Sequence, residues 1–172
     1  NVWLSAERTS PYQMYQYLLN VGDDDVARLL TRLTMVPVSE CVAVAAAHAA
    51  APDKRDGQRR LAREVTGLVH GPDVIGPIEA ATAVLFGGLP TEADEATFSL
   101  LAREVPSQVI SHGDLEQLDL LGLFAATPLA ASRGEVRKNA SGHYLNGVAV
   151  DGRRAEELDR DDLLHGRYLL LR

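Results

Sequence analysis

Prolines and glycines cut the stretch from Ser10 to Pro106 into segments of helical length, and this punctuation limits the possible folds more than any other feature of the chain. Ser10-Pro11 followed by Gln13 is a helix start, with a capping serine, proline at the first helical position and a glutamine able to reach back. Tyr12, Tyr15 and Leu19 follow at helical spacing as a packing stripe. Asn20-Val21-Gly22 ends that helix. Asp23-Asp24-Asp25 opens a second, with Val26, Leu29, Leu30 and Leu33 expected on its inner face and the carboxylates complementing its dipole. Ser39 is placed to cap a third helix through the alanine-rich residues 41–51, ended by Pro52. The longest helical pattern spans residues 53–70 and closes at Gly71-Pro72. Residues 73–86, stopped by Gly87-Gly88, and 92–105, stopped by Pro106, are further helical stretches. Residues 1–5 show no helical period and read as extended.

Beyond Pro106 the pattern changes. Residues 115–124 are expected as one helix. Ser132 with Glu135 three positions on is a capping-box arrangement, so a short helix starts there and carries Arg133, Arg137 and Lys138, the two arginines one turn apart. Asn146-Gly147, between Tyr144-Leu145 and Val148-Ala149-Val150, is a type I′ hairpin signal, because both central residues must take positive φ. Residues 159–162 read as an acidic turn and 167–171 as strand-like. A mainly α fold follows, with residues 1–88 as a helical domain, 89–113 as a connection and 114–172 as a small α+β domain with a short sheet. Nothing in the sequence repeats.

The basic helix beside the hairpin is the best clue to function. Planar guanidinium forks suit phosphates, and Tyr144 and Asn146 at the rim offer an unpaired base a stacking face and polar contacts. The stretch reads as a grip on an RNA backbone, against the commoner reading of such residues as a solvated basic face. Arg55, Arg59 and Arg63 recur every fourth residue, while Leu61, Val65, Leu68 and Val69 fall on a different face. That stripe either meets phosphate or is a solvated face paired with Asp56 and Glu64.

Charge and composition bound these readings. The net charge of −7 argues against nucleic acid until its distribution is considered. Residues 1–131 hold nine Lys/Arg and seventeen Asp/Glu, whereas residues 132–172 hold eight and seven, so the balance moves from −8 to +1. No apolar run is long enough for a membrane span and the start lacks a signal pattern, so no membrane partner is expected. The single Cys41 excludes an internal disulfide, fits a reducing cytoplasm and reads as a core residue. His48, His70, His112, His143 and His165 are scattered without ligand or triad spacing, so no catalytic residue, metal site or cofactor is expected in this chain.

Ser132-Arg-Gly-Glu-Val-Arg-Lys138, a glycine turn and Tyr144-Leu-Asn-Gly-Val148 resemble the RNA-binding module named after small-subunit ribosomal protein four, with a second helix shorter than that module's. Trp3-Leu4, Thr9-Ser-Pro-Tyr-Gln-Met-Tyr-Gln-Tyr17, Asn20 with Asp23–Asp25, Ala51-Pro-Asp-Lys-Arg55, Leu61-Ala-Arg-Glu-Val-Thr66, Leu68-Val-His-Gly71 and Leu85-Phe-Gly-Gly88 resemble the helical anticodon-binding domain of bacterial tyrosyl-tRNA synthetases. Arg103-Glu-Val-Pro-Ser107 and Leu164-His-Gly-Arg-Tyr168 are similar to that family's carboxy-terminal segment.

The resemblance implies the tRNA-binding carboxy-terminal part of an enzyme that uses ATP with Mg2+ to join tyrosine to tRNA(Tyr), a cytoplasmic homodimer with no DNA partner. It implies a catalytic domain before Asn1, bearing His-Ile-Gly-His-type and Lys-Met-Ser-Lys-Ser-type motifs, and a basic strand after Arg172. It also implies that Asp23 contacts the first anticodon base, against the simpler reading of helix capping. Two rival readings are a free-standing RNA-binding or regulatory protein sharing the module and a helical protein-interaction module.

Overall fold

The computed structural model describes residues 2–150, 158 and 160–172, and it is mainly α. Its backbone contacts group into two units, Asn1–Glu79 and Ala80–Arg172. In the first, α1 (Pro11–Leu19), α2 (Asp23–Leu33) and α3 (Val38–Ala50) pack on α4 (Asp56–His70). The start of α1 is as its sequence dictates. Ser10 Oγ accepts from Gln13 N at 3.1 Å, Gln13 Oε1 accepts from Ser10 N at 3.2 Å, and Pro11 fills the first position. Tyr12, Met14, Tyr15 and Leu18 enter the core, where Leu61 and Ala62 of α4 are fully buried. Gly71, at φ 93°, closes α4 in a conformation that favours glycine.

Several boundaries differ from the sequence-based expectation. Residues 4–9 bend and turn, so the stretch expected to extend over residues 1–5 does so only before Leu4: Ser5 O accepts from Arg8 N and Thr9 N, and the Arg8 guanidinium lies 4.5 Å from the Trp3 ring centroid. Pro37, not Ser39, precedes α3. Pro52–Lys54 forms a 3-10 turn and Arg55 takes φ 56°, so α4 begins at Asp56 and Arg55 lies outside it. Pro72–Val74 likewise turns before α5 (Ile75–Leu85). On α2 only Val26 and Leu30 are buried; Leu29 is half-buried and Leu33 exposed, because a two-position stripe suffices where the helix meets α3 and α4. Cys41 is buried, as expected of a core residue.

The second unit contains α6 (Glu95–Glu104), α7 (His112–Leu115), α8 (Leu120–Ala125), α9 (Arg133–Lys138), β1 (Tyr144–Leu145) and β2 (Val148–Ala149). The single helix expected over 115–124 is two, because the Asp119 carboxylate accepts from Gly122 N at 2.7 Å and starts a new one. Asp94 caps α6, and bonds from the Thr97 hydroxyl and N–H hold its carboxyl below the usual range. Leu120, Leu121, Leu123, Phe124, Val136, Leu145 and Val150 form the core, with Leu169 and Leu171 against it.

β1 and β2 pair antiparallel, Tyr144 opposite Ala149 and Leu145 opposite Val148, across Asn146 at φ 50° and Gly147 at φ 84°. Both signs are those of the expected hairpin. The other edge of β1 is taken by the chain end: Tyr144 N donates to Arg172 O at 2.6 Å, Arg172 N to Tyr144 O at 3.0 Å, and Asn146 N to Leu170 O at 2.8 Å. Within residues 89–113, Phe98 is buried and stacks on Tyr168 at 5.5 Å, while Ser99 Oγ lies 3.0 Å from the Tyr168 hydroxyl. That stretch therefore packs inside the second unit. Arg160–Asp162 is a 3-10 turn; Asp159 lies outside the described residues. Among the described residues no helix is long and apolar enough to cross a membrane.

Candidate nucleic-acid interface

Helix α9 is held by three local devices. Ser132 Oγ accepts from Glu135 N at 3.2 Å, and Val136 inserts fully into the core. The returning glutamate bond goes one residue further back than expected, with Glu135 Oε2 accepting from Ala131 N at 2.8 Å. With Val136 facing inward, Arg133, Arg137 and Lys138 all lie exposed. Arg133 is already engaged, its Nη1 donating to Asp119 Oδ2 at 3.1 Å. The same carboxylate thus caps α8 with one oxygen and meets α9 with the other.

After α9 a 3-10 turn, Ala140–Gly142, leads to His143. This residue is buried, its Nδ1 donates to Asn139 O at 2.9 Å, and its ring meets Phe124 edge-on at 5.0 Å. Such fixing of the crossing segment sets where Tyr144 emerges, 39% exposed at the head of β1. Asn146 does not share that exposure. Only 8% exposed, it donates through Nδ2 to Asp162 O at 2.5 Å and accepts at Oδ1 from Leu170 N at 2.9 Å. Expected at the rim, its amide instead turns inward, because the left-handed turn aims it at the neighbouring backbone.

The arginine stripe resolves into three separate ties. Arg55 Nη2 donates to Leu19 O at 2.8 Å and Asn20 Oδ1 at 3.2 Å, closing the end of α1. Arg59 pairs with Asp56 at 3.0 Å and Arg63 with Glu79 at 3.1 Å. Glu64, expected among the stripe's partners, pairs instead with Arg60 at 2.8 Å. Arg59 and Arg63 remain exposed on one face of α4, while Arg55 serves the loop before α2.

Asp23 sits at the first position of α2, after the N-cap Gly22, and makes no capping hydrogen bond. Its Oδ1 accepts from Gln58 Nε2 at 2.6 Å and from His48 Nε2 at 3.1 Å. A carboxylate offers only acceptors, so both nitrogens must carry the proton. Sequence reasoning did not single out His48 or Gln58 as a partner of Asp23, since 25 and 35 positions separate them from it. Among the described residues no three His, Cys, Asp or Glu side chains come together as metal ligands.

Known proteins resemble this chain along its whole length. The family model described as tRNA synthetases class I (W and Y) matches residues 1–87. A tyrosine–tRNA ligase from Anaeromyxobacter dehalogenans is 43% identical, the match covering 99% of this chain and 41% of that protein. One from Corynebacterium efficiens is 38% identical over 100% of this chain and 41% of its own length. The chain therefore spans well under half the length of these relatives. A solved C-terminally truncated mitochondrial tyrosyl-tRNA synthetase of Coccidioides posadasii superposes with a TM-score of 0.44 at 40% identity, over 45% of this chain and 21% of that one.

Proposed function

The chain belongs to the family of class I tRNA synthetases for tryptophan and tyrosine (W and Y), and from that premise we propose that it is the tRNA-binding carboxy-terminal part of a tyrosyl-tRNA synthetase. It holds tRNA(Tyr) while a catalytic domain on the same protein joins tyrosine to it. The whole protein then takes tyrosine, ATP with Mg2+ and tRNA(Tyr), and works as a cytoplasmic homodimer. Of these ligands only the tRNA is assigned to residues of this chain. The relatives' names support the choice of tyrosine over tryptophan.

The observation that carries the RNA-binding reading is helix α9, whose Val136 is locked in the core so that Arg133, Arg137 and Lys138 face solvent beside exposed Tyr144. Cations on a rigid element bind phosphate at a smaller ordering cost than cations on a loose one. Arg133 exchanges Asp119 for phosphate on binding, a small loss because exposed ion pairs contribute little. Tyr144 supplies a stacking face, and Arg59 and Arg63 extend the basic surface of the helical unit. Asp23 accepts from the edge of the first anticodon base. Asn146 shapes the hairpin from within.

A salt series of tRNA(Tyr) affinity tests this reading. Every phosphate that an Arg133→Ala, Arg137→Ala, Lys138→Ala triple variant no longer neutralises lowers the slope of log affinity against log salt by roughly 0.7 to 0.9. The drop in affinity is similar for tRNAs differing only in anticodon, because backbone contacts position without reading sequence. Parallel lines of equal slope for wild type and variant would show that these residues do not touch phosphate.

A further inference from the structure

The Asp23 side chain is 60% exposed, yet one of its oxygens is held by two side chains that are almost completely buried, His48 at 4% and Gln58 at 1% exposure. Burying polar groups is costly, and this pair is not fully compensated inside the fold. His48 Nδ1 and Gln58 Oε1 are buried without a hydrogen-bond partner among the described residues. The donors thus face the exposed carboxylate while the acceptors behind them go unmatched. A core that merely needed to join α2, α3 and α4 would be as stable with apolar groups there.

The backbone around this point is also pinned. Gln58 Nε2 lies 3.5 Å from Val21 O, and Arg55 holds Leu19 O and Asn20, so the start of α4 restrains the whole loop that delivers Asp23. Gly57 completes the arrangement: a Cβ there would fall 2.8 Å from His48 Cγ and 2.7 Å from Val26 Cγ1. The absence of a side chain at Gly57 is what lets the imidazole reach Asp23.

We propose that His48 and Gln58 are positioning residues, which fix the Asp23 carboxylate by one oxygen and present the other to an N–H donor on an unpaired RNA base. They set base discrimination without touching RNA. The chemistry selects a base edge over a phosphate, since a carboxylate accepts hydrogen bonds but repels an anion. A guanine edge can direct its adjacent ring and amino N–H groups at that oxygen; an adenine edge offers an amino N–H beside a ring acceptor whose lone pair repels the carboxylate. Orientation matters because such a bond weakens steeply away from linearity. The proposal rests on the reading that Asp23 contacts the first anticodon base.

The test uses the intact protein and two tRNA(Tyr) transcripts differing only by guanine or adenine at that base, with the ratio of their affinities as the readout. Asp23→Asn measures the base contact itself and is expected to lower the ratio about tenfold, the scale of a good base contact. His48→Phe and Gln58→Met remove one donor each at similar volume, and His48→Gln restores a donor. Both donor-removing variants should lower the ratio several-fold, His48→Gln should retain most of it, and none should alter it further in an Asp23→Asn background. Gly57→Ala should act in the same direction as His48→Phe. If Asp23→Asn leaves the ratio unchanged, the base contact and the proposal both fall. If Asp23→Asn collapses the ratio but the His48 and Gln58 variants keep it, or weaken both transcripts equally, the base contact stands and the positioning role is overturned. Should His48→Phe fail to fold, Gln58→Met decides alone.

Discussion

Several charged side chains of the helical unit are paired with one another, and Tyr15 shows the energetic consequence of such a pair. This phenol is 2% exposed and donates to Glu79 Oε1 at 3.2 Å, the same oxygen that accepts from Arg63 Nε at 3.1 Å. Burial, then the charge and hydrogen bond of Glu79, push its pKa up to about 12. Because the folded value lies above the unfolded one, the native state keeps a proton that the unfolded chain releases. Stability from this group is therefore full below about pH 10 and is lost as pH rises toward about 12. The loss is on the order of 2 kcal/mol, and denaturant titrations at pH 9 and above should show it. A Tyr15→Phe variant should lack that part of the alkaline decline; an identical decline would mean that another group titrates there.

Elements in the second unit depend on single residues that tie chain segments far apart in sequence. Asn146 is the clearest case, since its left-handed backbone makes the hairpin while its amide joins Asp162 and Leu170. Asn146→Ala removes both side-chain bonds and strains a positive φ, which should destabilise the second unit by about 2 kcal/mol. Asn146→Gly keeps the turn conformation but not the amide and should fall between. Urea unfolding read by circular dichroism separates the three proteins. If Asn146→Ala is as stable as wild type but binds tRNA less well, the amide contacts RNA after all and the buried clasp is incidental.

At the scale of the whole molecule, two units each carry their own core, and neither is expected to perform the proposed chemistry of tyrosine activation. The 172-residue sequence holds no His-Ile-Gly-His-type or Lys-Met-Ser-Lys-Ser-type motif. The isolated chain is expected neither to exchange pyrophosphate into ATP with tyrosine nor to charge tRNA. A pyrophosphate-exchange assay on chain purified from a host whose own enzyme carries a removable tag checks this; activity that survives removal of the tagged enzyme would overturn it. Retained tRNA binding without exchange activity is the signature of a binding part.

Much of the fold was legible in sequence wherever its cause is local. The box of Ser10 and Gln13, the stop at Gly71-Pro72 and the Asn146-Gly147 hairpin each act within about four residues, so residue type alone fixes them. The mainly α class follows from the same punctuation, and the exposed cations of α9 follow from its short capped pattern. What only the tertiary structure decided is which distant groups meet. Asp23 reaches His48 and Gln58 across 25 and 35 positions, Arg133 reaches Asp119 across 14, and Arg55 leaves its helix to close another. Periodicity names the buried face of a helix but not the face it packs against, and a hydrogen bond forms only where packing brings donor and acceptor within about 3 Å. The regular arginine spacing thus became separate ties, and the asparagine of the turn became a clasp.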